Sequence, residues 1–163
     1  MPRRLLVPLL ALAAAAVGAW LLLGRAPPPT DEELIRRLVD DAARAATERR
    51  VSDAVEPVSE SFRAEGLGKP DVKRIVAAHV LAGEWASVSV TDARIEVQGD
   101  RATAVVDTLM ARASGTGKSL ADLLPGDAAL YRFDCGLARE ADGWRVVTGT
   151  WRRITLAEAL AGP

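Results

Sequence analysis

The sequence predicts an α+β fold: an N-terminal transmembrane helix, then about three helices packed on a four-stranded antiparallel sheet. Three observations predict it. Leu5–Leu23 is an apolar run without a charge. Between Asp31 and Ala82 apolar residues recur at helical spacing. From Glu84 to Ile154 they alternate with period two, broken at Gln98–Arg101 and Arg139–Gly143 by polar turns that contain glycine.

Leu5–Leu23 would be about 28 Å long as a helix, at ~1.5 Å per residue, close to the ~30 Å hydrocarbon thickness of a bilayer. A cleaved signal peptide is the competing reading, with Val17-Gly18-Ala19 as its cleavage site. The apolar run continues through Trp20-Leu21-Leu22-Leu23, which favours an uncleaved anchor. Arg3 and Arg4 precede the run and Arg25 follows it. That bias places a short N-terminus in the cytoplasm and the rest of the chain outside. For a bacterium, the expectation is a single-pass inner-membrane protein with a periplasmic domain. Residues 1–25 form the anchor, the proline-rich 26–30 a stiff linker, and 31–163 the folded domain.

Thr30 and Glu33 make a capping box for a helix to about Arg50, with Ile35, Leu38, Val39, Ala42 and Ala46 as its stripe. Ser52-Asp53 starts a shorter helix to about Ser61, and Phe62 follows as a core anchor. Pro70 suits the first turn of a third helix, Asp71 to Ala82, with the stripe Val72, Ile75, Val76 and His79 and a stop at Gly83. Glu84 to Val97 is a strand whose parity slips between Val88-x-Val90 and Ala93-x-Ile95-x-Val97, so a bulge is expected near Thr91-Asp92. Ala102 to Arg112 is the second strand. Ser114 to Asp127 is a glycine-containing connection with a turn of helix at Leu120–Leu124. Ala129–Ala138 and Trp144–Ile154 close the sheet as a hairpin across Asp142-Gly143. Thr155–Pro163 is expected to be a frayed tail.

Composition narrows the function. The 163 residues are 49% apolar and 26% charged, with net charge −1. Beyond residue 30 the chain carries 18 basic against 22 acidic side chains, a net of −4. That balance argues against nucleic-acid binding, which needs phosphate neutralisation. Cys135 is the only cysteine and His79 the only histidine, so neither an internal disulfide nor a cysteine- or histidine-rich metal site is available. No cofactor motif is found. Gly115-Thr116-Gly117-Lys118-Ser119 imitates the end of a phosphate-binding loop, but Arg112 stands where the first glycine is required.

Three stretches carry a resemblance. Ser59-Glu60-Ser61-Phe62-Arg63 closes the short helix, Ile95–Ala111 (IEVQGDRATAVVDTLMA) forms a hairpin, and Arg139–Arg152 (READGWRVVTGTWR) ends the sheet. Over about Asp31 to Ile154 the chain resembles the nuclear transport factor 2-like (NTF2-like, cystatin-like α+β roll) superfamily. The resemblance implies a curved sheet wrapped on helices around a cone-shaped cavity. It implies little about function, because the superfamily includes isomerases, dehydratases, hydrolases and non-catalytic binding or assembly modules.

Candidate catalytic residues are Asp107, His79 and Tyr131. Asp107 lies mid-strand, where burial in a cavity would raise a carboxyl toward general-base range; the competing reading pairs it outward with Arg112 or Arg132. His79 on an apolar stripe points inward, as a general base or as a hydrogen-bonded core residue. Tyr131 is a cavity donor or a packing residue. Asp134 shares a face with Arg132 and is read as outward. Cys135 is read as a buried, inert thiol. Three functions are weighed. The leading one is a non-enzymatic protein-interaction or small-ligand module with an apolar ligand in the cone. The second is a small isomerase- or hydrolase-type enzyme using Asp107 and His79. The third is an envelope or secretion assembly accessory, homodimeric through the sheet face. Its layout resembles that of the inner-membrane subunit of type IV secretion systems. An open cone favours the ligand and enzyme readings; one filled by Phe62, Trp85 and leucines excludes catalysis.

Overall fold

The apolar stripe of the first helix sets the layering. In the computed structural model, which describes residues 28–82, 87–112 and 128–162, helix α1 spans Asp31–Thr47. Asp31, Glu32 and Glu33 occupy its first turn, where acids complement the positive helix end. Ile35 is fully buried and Ala45 and Ala46 nearly so. The helix stops short of Arg50. The Arg50 N–H donates to the Ala45 carbonyl at 2.8 Å and the Arg49 N–H to the Ala46 carbonyl at 3.1 Å. This is a Schellman closure, with Arg49 in the left-handed region that glycine usually takes.

The second helix is far shorter than its cap suggests. Helix α2 is the single turn Val51–Ala54, not a helix to Ser61. Pro57 disfavours helical backbone in the residue before it and has no N–H to give. The chain instead pairs with the last strand: the Val146 N–H donates to the Pro57 carbonyl and the Ser59 N–H to the Val146 carbonyl, both at 2.9 Å. Helix α3 spans Lys69–Leu81, with Pro70 in its first turn. The Asp71 carboxylate accepts from the Gly68 N–H at 2.9 Å and so caps it.

Four antiparallel strands follow in sheet order β1-β2-β3-β4: β1 Ser87–Gln98, β2 Arg101–Ala111, β3 Ala128–Glu140 and β4 Gly143–Ile154. The bulge expected near Thr91-Asp92 is present, as a register shift between Val90 and Asp92. A second bulge was not anticipated. Gly136 pairs with Thr148 and Leu137 with Val146, leaving Val147 extra. The freed Val147 carbonyl accepts from the Arg63 N–H at 3.1 Å. Beyond this bulge the parity of β4 flips, so Gly149 and Trp151 join the face of Trp144 and Val146. The β3–β4 turn is tighter than Arg139–Gly143. Only Ala141 and Asp142 lie between the strands, and Gly143 takes φ 124°, which glycine tolerates.

Both sheet edges are protected, which limits edge-to-edge aggregation. The segment Pro57–Arg63 pairs with β4 at Val146 and Val147. On β1, Thr47 Oγ1 accepts from the Val88 N–H at 2.9 Å and Arg36 donates to the Ala93 carbonyl at 3.1 Å. The start of α1 is clamped to the β3–β4 hairpin. Asp31 accepts from Trp144 Nε1 at 3.2 Å and pairs with Arg139, whose guanidinium lies 4.7 Å from the Trp144 ring centroid. The guanidinium and indole partners hold the Asp31 carboxyl below its ordinary value.

The C-terminal segment is not a frayed tail. Helix α4, Leu156–Leu160, carries a capping box in which the Thr155 hydroxyl accepts from the Glu158 N–H and the Glu158 carboxylate accepts from the Thr155 N–H. Among the described residues no helix is long and apolar enough to cross a membrane. The expected anchor Leu5–Leu23, Gly83, Trp85 and the connection at 114–127 lie outside the described residues.

Candidate functional site

The helices and one face of the sheet line a partly open apolar cavity of about 250 Å³. Helix α1 supplies Leu38, Val39, Ala42 and Ala46, so the predicted stripe, apart from Ile35, faces this space. Phe62, buried as expected, closes it from the α2–α3 segment. The sheet supplies Val90, Val106, Met110, Phe133, Val146 and Trp151. Polar lining residues are few, Thr108, Thr150 and Cys135, with no charged residue in the wall. Burial pushes the Cys135 thiol up to about 11, with the neighbouring Asp134 carboxylate adding to the rise. At neutral pH it is a protonated, weakly reactive group.

A smaller chamber of about 140 Å³ shares Val72, Val76, Met110, Phe133 and Trp151 with the first. Its remaining lining is Ile75, His79 and Tyr131. The helical spacing of Val72, Ile75, Val76 and His79 delivers all four to this space. Tyr131 arrives from β3, on the same face as Phe133 and Cys135. His79 and Tyr131 are therefore brought together.

Asp107 is not brought to them. It is 1% exposed, but Val106, Thr108 and Met110 face the cavity and strand alternation turns Asp107 to the other side of the sheet. There it lies directly across from Arg132. Arg132 Nε and Nη2 donate to its two carboxylate oxygens, each at 2.7 Å. This is bidentate pairing in a nearly dry setting. Arg132 also donates to the Glu158 carbonyl of α4 at 3.3 Å, which holds the C-terminal helix over the pair. The carboxylate raises the Arg132 pKa above its ordinary value. An enzyme that uses Asp107 and His79 as partners in one pocket is not what this arrangement builds. Asp134, on the same outer face, is exposed, as its parity suggested. Among the described residues no cluster of three metal-ligating side chains occurs.

Strict alternation along Trp144–Ile154 would put Trp151 on the opposite face from Trp144, yet Trp151 lines the cavity. Alternation fails across the Val147 bulge, because Val146 and Val147 are both apolar and the slip leaves no mark.

No family model and no curated protein matches the sequence. Solved structures do match its fold. An NTF2-like protein with a cystatin-like fold from Novosphingobium aromaticivorans superposes with TM-score 0.61 at 19% identity, over 93% of this chain and 97% of that one. An NTF2-like protein of unknown function from Pseudomonas putida gives TM-score 0.57 at 17% identity, over 77% and 87%. A Bdellovibrio bacteriovorus protein gives TM-score 0.57 at 10% identity over 75% of this chain, which spans 40% of that longer one. The chain has the NTF2-like, cystatin-like α+β fold.

Proposed function

We propose that the chain is a non-enzymatic module that binds a small apolar ligand, held on the outer face of a bacterial cytoplasmic membrane by the segment Leu5–Leu23. One observation carries the binding reading: the space between helices and sheet is unfilled and has no charged side chain in its wall. Burial of apolar ligand surface there is favourable at roughly 25 cal/mol per Å², and no ionised group has to be desolvated. The anchor reading rests on the charge-free run and its flanking arginines.

Met110 lines both chambers, and the chain has only one other methionine, Met1. Methyl-labelled methionine in the full chain, reconstituted in nanodiscs, therefore reports on the cavity. Titration with naphthalene is expected to shift the Met110 methyl saturably. Ala42→Phe, which fills the space from α1, is expected to abolish the shift while the fold persists. A Met110 signal that never moves overturns the reading.

A second reading, an enzyme of isomerase or hydrolase type, keeps one supporting observation: His79 and Tyr131 share a chamber. It has to proceed without Asp107.

A further inference from the structure

The two chambers are neighbours with one wall in common. Val72 and Val76 of α3 and Met110, Phe133 and Trp151 of the sheet line both. What stands between the two spaces is a partition one side chain thick. Phe133 and Trp151 are direct cross-strand partners within it. Trp151 is 42% exposed, so packing holds it on one side only. Met110 has an unbranched side chain with three rotatable bonds, the kind that refits irregular space. All five partition side chains are apolar, and neither chamber has Lys, Arg, Asp or Glu in its lining.

We infer, building on the binding reading above, that the ligand carries an unbranched alkyl chain that occupies both chambers at once, crossing the partition at Met110. Volume sets the length. A cavity of about 150 Å³ accepts one benzene ring, roughly 25 Å³ per carbon. At that density the larger chamber, about 250 Å³, holds about ten carbons. The smaller, about 140 Å³, adds five or six more, roughly. Shape sets the class. A fused-ring body fills the larger chamber and stops at the partition. It leaves a void beside it, whose lining forfeits dispersion contacts. A chain needs a neck only one methylene wide, which a rotamer change at Met110 supplies. It then fills both spaces with carbon against carbon.

Ile75 and Tyr131 line the smaller chamber and not the larger. Ile75→Trp therefore fills the smaller one from α3, and Tyr131→Trp fills it from β3. Tyr131 is the only tyrosine in the chain, so a ring label reports on that chamber in the native protein. The test titrates the full chain in nanodiscs with 1-octanol, 1-decanol, 1-dodecanol and 1-tetradecanol, and with naphthalene as a compact probe. Native chain and variants share one nanodisc composition, so partitioning into lipid cancels in the ratio of their affinities. In the native chain, tetradecanol is expected to move the Met110 methyl and the Tyr131 ring with a single midpoint. The native-to-variant ratio is expected to be smallest for octanol and to climb beyond decanol, by up to about fourfold per carbon. Both variants should show it, so one that fails to fold leaves the other to decide. A ratio that does not change with chain length overturns the inference and leaves the binding reading intact. So do two separate midpoints, one for each chamber, or naphthalene binding without alkanol binding. Failure of all five probes overturns both.

Discussion

The two faces of the sheet solve opposite problems with adjacent residues. On β2, Val106, Thr108 and Met110 look into an open apolar space, while Asp107 between them carries a charge on the far side. The inward face has unfilled volume and few polar atoms. The outward face at Asp107 has no unmet hydrogen bond: the carboxylate is matched by both arms of Arg132, and Arg132 is roofed by α4. A buried titratable group is a candidate for chemistry only if it can reach a ligand. Here the buried carboxylate serves to attach the C-terminal helix, and the wall of the larger cavity has no Lys, Arg, Asp or Glu.

Breaking the outward face should have the largest effect. Asp107→Ala leaves Arg132 mostly enclosed without its counter-charge, a change of the kind that can consume most of a small domain's stability. Urea unfolding is expected to show a large drop in midpoint. The double variant Asp107→Leu with Arg132→Leu should recover most of that loss, because the removed charges no longer need each other. A single variant as stable as the native chain would show that the pair is not structural.

The roof itself is a smaller matter. Thr155→Ala removes the cap of α4 and is expected to cost about 1 kcal/mol, measured by thermal unfolding. The helix should also respond to acid. The Thr155 backbone and side-chain hydrogen bonds and Arg152 hold the Glu158 carboxyl down at about 2 from its ordinary 4.5. A depressed folded value means the contribution is complete above the unfolded pKa and is lost as pH falls from near 4.5 toward 2. Amide exchange in Leu156–Leu160 should rise over that window in the native chain, and a Glu158→Gln variant should show no such window.

The inward face is sharpened by its thiol. With its pKa raised to about 11, Cys135 should alkylate at neutral pH far more slowly than a free cysteine of pKa ~8.5. A bound apolar ligand should slow it further. Rapid modification that no ligand slows would contradict the placing of Cys135 in the wall of a ligand cavity.

Much of the architecture was legible because apolar periodicity reports burial directly. The stripes of α1 and α3, the Thr91-Asp92 bulge and both hairpin turns follow from local residues. What escaped was non-local or unmarked. The placement of Asp107 was ambiguous, since Val105 and Leu109 are as apolar as Val106 and Met110, and its partner Arg132 lies 25 positions away across the β2–β3 connection. The Val147 bulge hid between two valines. The helix expected to reach Ser61 ends at Ala54, because the chain turns at Pro57 to pair with Val146. The C-terminal helix was missed although Thr155-x-x-Glu158 repeats the Thr30-x-x-Glu33 pattern that marks α1. The resemblance to the NTF2-like superfamily gave the fold, and the comparison with solved structures agrees. Neither could give the cavity wall, which depends on parity through the bulges.

The most direct test of the two-face account is a set of intermolecular nuclear Overhauser contacts from bound naphthalene in the full chain. The expected result is contacts to the methyls of Met110 and Val106, and none to Leu130, which lies on the face of Arg132. Contacts to Leu130, or none to Met110 at saturation, would contradict the assignment of the apolar face as the ligand site.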